Sequence, residues 1–345
     1  MPFEATAKAF SLKKLPHSEV ELTGEVPYEE VVGYRERALK HLSEHMALPG
    51  FRPGKVPLRM ALQKLGEVAV LEEALEIFIK DFYPALIAAH RVDAVGRPDV
   101  RVTKLAAENP VGLVVRTSVY PEVNLPKNYK TIGKEIELEA VLPATEEEVV
   151  QTLENLRQSR KGPASGTEAG PLPDLNDEFA KSVGAFDSLD ALKEQLKQGI
   201  TEEKERKAQE ARRGKIINAL LKEANIDVPR IFVESELEKI MAQMREDTVR
   251  FGLTFETYLE QIKKTEEELR GELHEQAEKR AKLQLMLNKI AEEEKVEANK
   301  EAVERELKHA LEHFPNAKPE LVRIHVGTVL RNEKVLTLLE NQEKK

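Results

Sequence analysis

At 345 residues the chain is long for one domain and sufficient for two, each with its own core. Hydrophobic residues make up 41% and charged residues 33%, with no Trp and 5% aromatics, which excludes a disordered or membrane-embedded chain and describes a soluble, helix-rich one. A formal net charge of −9 excludes a protein that coats nucleic acid along its whole length, and the absence of Cys excludes a disulfide scaffold, a thiolate metal site and a thiol nucleophile.

Residues 1–20 hold no apolar h-region, and no later stretch is an uninterrupted apolar run long enough to span a bilayer. Neither export nor anchoring is expected, and the location inferred is cytoplasmic. In chain order, Ser18 to Thr23 alternates Val20 and Leu22 with polar residues, as a half-buried strand does. After Pro27 the residues Val31, Arg35, Ala38, Leu42 and Met46 recur at spacings of three and four, which predicts one amphipathic helix ending before Pro49. Leu48 to Pro57 reads LPGFRPGKVP, with two Gly and three Pro, so an ordered turn or exposed loop interrupts the helices. A helix is expected from Pro57 to Gly66. Another carries Val68, Leu71, Leu75, Phe78, Ile79, Phe82 and Leu86, with Pro84 as a kink. Arg101 to Leu105 and Gly112 to Val119 read as paired strands around a turn at Glu108 to Pro110, completing an α+β domain over residues 1–121.

Residues 122–171 read as an extended connection, a helix and a short linker. Thr145 and Glu148 form a capping-box pattern ahead of Val149, Leu153 and Leu156, and Lys161 to Pro173, KGPASGTEAGPLP, cannot pack a core. Residues 172–345 read as all-α. Leu189, Leu192, Leu196 and Ile200 follow the cap Ser188; Val233, Leu237, Ile240 and Met244 follow Pro229; Thr265 and Glu268 cap a helix with Leu269 and Leu273. Further helices fit Glu301 to His313 and Pro319 to Leu339.

Catalytic and metal chemistry is nearly absent from the pattern. His41 with His45, and His309 with His313, sit at i, i+4 but lack the third ligand and general base of an HExxH site, so both pairs read as solvated. The runs Glu266 to Glu268 and Glu292 to Glu294 read as solvated helix faces. No phosphate loop or nucleophile elbow occurs, and no cofactor is implied. Between Arg35 and Lys64 a basic stretch departs from the overall acidity: Arg35, Arg37, Lys40, Arg52, Lys55, Arg59 and Lys64 stand against Glu36 and Glu44.

Gly50-Phe51-Arg52-Pro53-Gly54-Lys55 joins a large apolar ring to two cations in a loop shaped by glycine and proline. Two readings remain open on composition: Phe51 plugs the core, or the loop is a docking tip in which Arg52 and Lys55 contact phosphate while Phe51 packs on a base or an apolar groove. Met241, Met244, Phe251, Phe255, Tyr258 and Met286 are candidates for a surface adapting to varied apolar partners, with core packing the alternative.

GFRPGKVP at 50–57 is similar to the ribosome-binding signature of the bacterial trigger factor family. The resemblance extends to VYPEV at 119–123, LPDLNDEFAKSVG at 172–184 and NIDVPRIFVESEL at 225–237. It implies a multidomain, elongated protein: an α+β ribosome-binding domain, then an all-α chaperone domain with helical arms. It further implies an ATP-independent chaperone that docks near the nascent-chain exit on protein and rRNA, holds nascent and unfolded polypeptides, and forms a weak homodimer when free. The sequence departs from the family at Pro53, where many members are basic, and at Leu156 to Leu172, where the full-length family inserts an FK506-binding-protein-like prolyl isomerase. That linker lacks the aromatic residues of such a pocket, so no enzymatic activity is expected. The alternatives are a prolyl isomerase and an exported periplasmic chaperone or helical scaffold.

Overall fold

The computed structural model describes residues 3–44, 46, 51, 56–160 and 172–341. Its elements run α1 (Glu4–Lys8), β1 (Ser11–Leu15), β2 (Glu19–Val26), α2 (Tyr28–Val32), α3 (Arg35–Glu44), α4 (Leu58–Leu65), α5 (Glu67–Ala89), β3 (Ala94–Lys104), β4 (Val111–Val119), α6 (Ile132–Glu135), α7 (Glu146–Ser159), α8 (Asp177–Val183), α9 (Leu189–Glu223), α10 (Arg230–Arg250), α11 (Phe255–Ile262), α12 (Glu266–Glu293), α13 (Lys300–His313) and α14 (Pro319–Glu340). This is the expected α+β segment followed by helices. The compact units are not consecutive in sequence, however. One comprises Met1–Asn124 with Asn225–Leu285, the other Leu125–Ala224 with Met286–Lys345.

In the first unit an antiparallel sheet of order β1-β2-β4-β3 lies against α5. Alternation places Val20, Leu22 and Val26 of β2, and Val111, Leu113 and Val115 of β4, in the buried set. The opposite face carries a registered row of charges, Lys13 beside Glu21, Glu21 beside Arg116 and Arg116 beside Asp99. Arg116 Nε donates to Glu21 Oε2 at 2.7 Å. A slip by one residue would bury that row, so the charges fix the register as firmly as the apolar face does. Helix α5 presents Val70, Ala74, Leu75, Phe78, Phe82 and Leu86 inward. Phe78 and Phe82 stack with centroids 5.1 Å apart, and Phe3 and Tyr34 meet Phe78 edge-on. Phe10 lies so close over β2 that a Cβ at Gly24 would fall 2.6 Å from its ring.

The single helix expected after Pro27 is two. At Tyr34 the chain tightens, its N–H bonding Val31 O three residues back at 3.0 Å, and Tyr34 turns its ring into the core before α3 begins. Strand β1 and helix α1 were not legible, because β1 (SLKKL) is almost wholly exposed and has no apolar alternation. Pro84 sits within a continuous α5. In the same unit Arg270 of α12 bridges Glu234 and Glu238 of α10 at 3.0 and 2.6 Å.

In the second unit the capping box is present: Thr145 Oγ1 accepts from Glu148 N, and Glu148 accepts from Thr145 N. Leu153, Phe179, Ala180 and Leu192 of α7, α8 and α9 form a small core. Elsewhere Arg212 of α9 donates to the carbonyls of Gly133 (2.7 Å), Ile136 (2.8 Å) and Glu340 (3.1 Å). Its neighbour Arg213 holds Glu333 at 2.8 Å and also pairs with Glu340, and these two carboxylates raise its pKa above the ordinary arginine value. At this junction α6 touches the end of α14, and a Cβ on Gly133 would lie 1.9 Å from Leu339 O. Gly133→Ala should therefore destabilise the protein by about 1–3 kcal/mol. At Gly199 and Gly271, helical positions with nothing within 4 Å of an added Cβ, Ala should stabilise by roughly 0.5–1 kcal/mol. Urea unfolding of the three variants checks the contrast, and equal effects would count against the packing at Gly133.

Candidate docking and client surfaces

The loop at 50–57 is anchored at both ends in the first core. Val56 is buried, and Met46, Leu42 and Leu62 pack against the same cluster. Pro57 caps α4, whose Ala61 faces inward. Of the loop's candidates, Gly50, Arg52, Pro53, Gly54 and Lys55 lie outside the described residues, as does His45. Phe51 is described and is 36% exposed, so it is not sealed in the core. Leu58 and Met60 are also exposed, with Arg59 between them on the outer side of α4.

The basic stretch is less free than its local composition suggests, because acids from α5 reach it. Arg35 makes a bidentate pair with Glu67 at 2.7 and 3.2 Å, and Arg37 pairs with Asp81 at 3.1 Å. The Arg35 contact holds the Glu67 carboxyl below its ordinary range and raises the guanidinium above its own. His41 Nδ1 lies 2.8 Å from Glu73 Oε1. Among the described residues Lys40, Arg59 and Lys64 make no ion pair, and Arg59 stands between the exposed Leu58 and Met60 in sequence. Among the described residues no group of three or more His, Asp or Glu is arranged to hold a metal ion.

The six candidates for a client surface do not share one face. Met241 and Met286 are fully buried and Phe255 nearly so, while Met244 and Tyr258 are half-buried. Arg245 lies over the Phe255 ring at 5.0 Å, and Phe255 stacks on Tyr258. Phe251 alone of the six is presented to solvent, 83% exposed, with Val249 at 69% beside it. Helical spacing cannot separate the inner from the outer methionines, because both faces of α10 recur with the same period.

Sequence reading missed other exposed apolar groups: Phe314 after α13, Leu321, Ile324 and Val329 on α14, Leu142 ahead of α7 and Val150 on it. On α14, Leu321 and Ile324 extend the stripe whose later members Val335 and Leu339 are buried. A stripe running beyond its own cover was the available signal. His309 and His313 rings meet edge-on at 4.8 Å on exposed α13 positions.

Residues 8–156 match the family model described as bacterial trigger factor protein, and residues 188–339 match the model of that protein's C-terminus. Residues 157–187 fall in neither match. Relatives at 26% identity include the trigger factors of Caldicellulosiruptor bescii, covering 84% of each chain, and of Listeria monocytogenes serotype 4b, covering 89% of this chain and 91% of that protein. The trigger factor of Desulforudis audaxviator is 25% identical over 95% of this chain and 96% of its own. These alignments run over 374, 390 and 423 positions, more than the 345 residues here, so the relatives carry residues opposite gaps in this chain. A solved chain reported under "Promiscuous Substrate Recognition in Folding and Assembly Activities of the Trigger Factor Chaperone" shares the fold, with a TM-score of 0.54 and 22% identity over 96% of this chain and 100% of its own.

Burial separates the candidates energetically. Met241→Ala and Met286→Ala should each cost about 2–5 kcal/mol of stability through lost burial and a residual cavity. Phe251→Ala should change it by no more than about 0.5 kcal/mol. Denaturant midpoints measure this, and a large loss at Phe251 would mean that its ring is buried in solution.

Proposed function

As a member of the bacterial trigger factor family, to which the chain belongs, this protein is a molecular chaperone, and we propose that it docks on the ribosome through residues 50–55 and holds unfolded polypeptides without ATP. The observation that carries the docking assignment is Phe51, an exposed ring in the segment between the anchors Met46 and Val56, followed in sequence by the exposed Leu58, Arg59 and Met60. Such a surface suits a ribonucleoprotein, where cations meet phosphate and apolar groups meet bases or a protein groove. Arg52 and Lys55 would supply phosphate contacts, and Gly50, Pro53 and Gly54 the shape of the tip.

Client holding belongs in this reading to exposed apolar groups on helices: Val249 and Phe251 at the end of α10, and Leu321 and Ile324 on α14. Scattered apolar side chains in a charged surround favour weak, exchangeable contacts over one tight site. The division of labour is docking by residues 1–121 and holding by helices after residue 172. The family matches cover the amino- and carboxy-terminal parts and detect no isomerase domain between them. Among the described residues no helix is long and apolar enough to cross a membrane, and the proposed location is the cytoplasm, where nascent chains emerge.

Replacing Phe51, Arg52 and Lys55 together by Ala should abolish ribosome co-sedimentation, and wild-type binding should weaken with salt as counterion release requires. Pelleting of the triple variant at wild-type levels would sink the docking assignment. Val249→Asp with Phe251→Asp should leave docking intact and reduce protection of a denatured client from aggregation, read by light scattering. Proline-limited refolding, whose uncatalysed phase lasts about 10–100 s, should not accelerate at substoichiometric protein. Acceleration would restore the enzymatic alternative.

A further inference from the structure

Residues 225–232 return to the amino-terminal module from far along the sequence. Asn225 forms an antiparallel bridge with Asn124, and Phe232 meets Tyr120 edge-on with ring centroids 6.1 Å apart. Ile231 lies over Gly96, where an added Cβ would fall 2.1 Å from its Cδ1. The remaining contact is polar. Ser18 N–H donates to Asp227 Oδ2 at 2.8 Å, the Ser18 hydroxyl donates to the Asp227 carbonyl at 2.6 Å, and His17 Nδ1 stands 4.0 Å from Asp227 Oδ1.

The turn held in this way is not one that its own residues favour. Pro16, His17 and Ser18 join β1 to β2, and φ is +61° at His17 and +49° at Ser18. Two successive left-handed residues crowd Cβ against the backbone, a cost that glycine avoids and that His bears more readily than Ser. Asp227 offsets that cost from 209 residues away, with a charge-assisted bond to a backbone amide and a second bond to the hydroxyl. A recess of about 400 Å³ lined by His17, Val228, Arg230, Val233, Glu234, His274 and Glu278 adjoins the clamp.

We propose that the Pro16–Ser18 turn and Asp227 form a two-position latch. It is closed here. When the Ser18 bonds give way, the turn relaxes from its left-handed conformation and the direction in which α10 leaves the amino-terminal module is released. The latch stands on this geometry whether or not the 50–55 loop docks on ribosomes, and its readouts are conformational, so failure of either idea is seen separately.

The chain has no Cys, so spin labels on Asn109→Cys and Glu246→Cys, both exposed positions, report the joint in the full-length protein. The closed latch gives one narrow distance distribution. Asp227→Ala should broaden it and speed exchange of the Ser18 amide by about 10-fold, while the Leu113 and Val115 amides of β4 keep their rates. His17→Gly removes one left-handed side chain and keeps both Ser18 bonds, so it should slow Ser18 exchange. Wild-type distances and Ser18 exchange in Asp227→Ala would overturn the latch. Should Asp227→Ala fail to fold, His17→Gly decides, and unchanged or faster Ser18 exchange there overturns it.

Discussion

One apolar stripe organises the amino-terminal module: the face of α5 formed by Val70, Ala74, Leu75, Phe78, Phe82 and Leu86. The sheet, α2, α3 and the amino-terminal Phe3 and Phe10 all pack on the cluster to which this stripe belongs, and so do Met46 and Val56, which bracket the loop. Met46 and Val56 are therefore fixed by the same core as the sheet and α5, and their positions are set on folding.

The second unit joins buried apolar side chains to polar closure at one junction. Its α9 is 35 residues long and buries only Leu192, Ile216 and Leu220, so a hydrophobic stripe cannot fix its neighbours along its length. Arg212 and Arg213 do that locally. Arg212 satisfies backbone carbonyls from residues 133, 136 and 340, and Arg213 gathers two carboxylates of α14. A guanidinium is suited to this role because its planar fork directs several donors at once, which a lysine ammonium does not.

A holding chaperone has to keep apolar groups in water without losing its own fold. In α10 and α14 buried and exposed apolar side chains occupy different stretches of the same helix. In α10, Val233, Leu237, Ile240 and Met241 are buried, while Val249 and Phe251 near its end are exposed. In α14 the order is reversed, with Leu321 and Ile324 exposed near the start and Val335 and Leu339 buried near the end. Charged neighbours isolate the exposed groups, so the apolar surface is divided into small patches that favour reversible contacts over aggregation.

By itself the sequence determined the elements whose causes are local. Period-3.6 stripes located α5, α9 and α10, Pro57 and Gly66 bounded α4, and helices fitted the segments of α13 and α14; the Thr145–Glu148 and Thr265–Glu268 patterns form reciprocal caps; apolar–polar alternation located part of β2 and β4. The segment 50–55 proposed above for docking stands out in the sequence because glycine, proline, a ring and cations coincide within a few residues. Tertiary structure alone decided what depends on partners distant in sequence. It formed β1 from an exposed segment whose only support is pairing with β2, and it divided the expected helix at Tyr34 to seat that ring on Phe78. It paired Arg35 and Arg37 with acids of α5, and it buried Met241 and Met286 while exposing Phe251. It also brought residues 225–232 back to the first module. The physical reason is the same in each case: periodicity shows that a residue has a face, but which face meets protein and which meets water is settled by the packing of segments far apart in the chain.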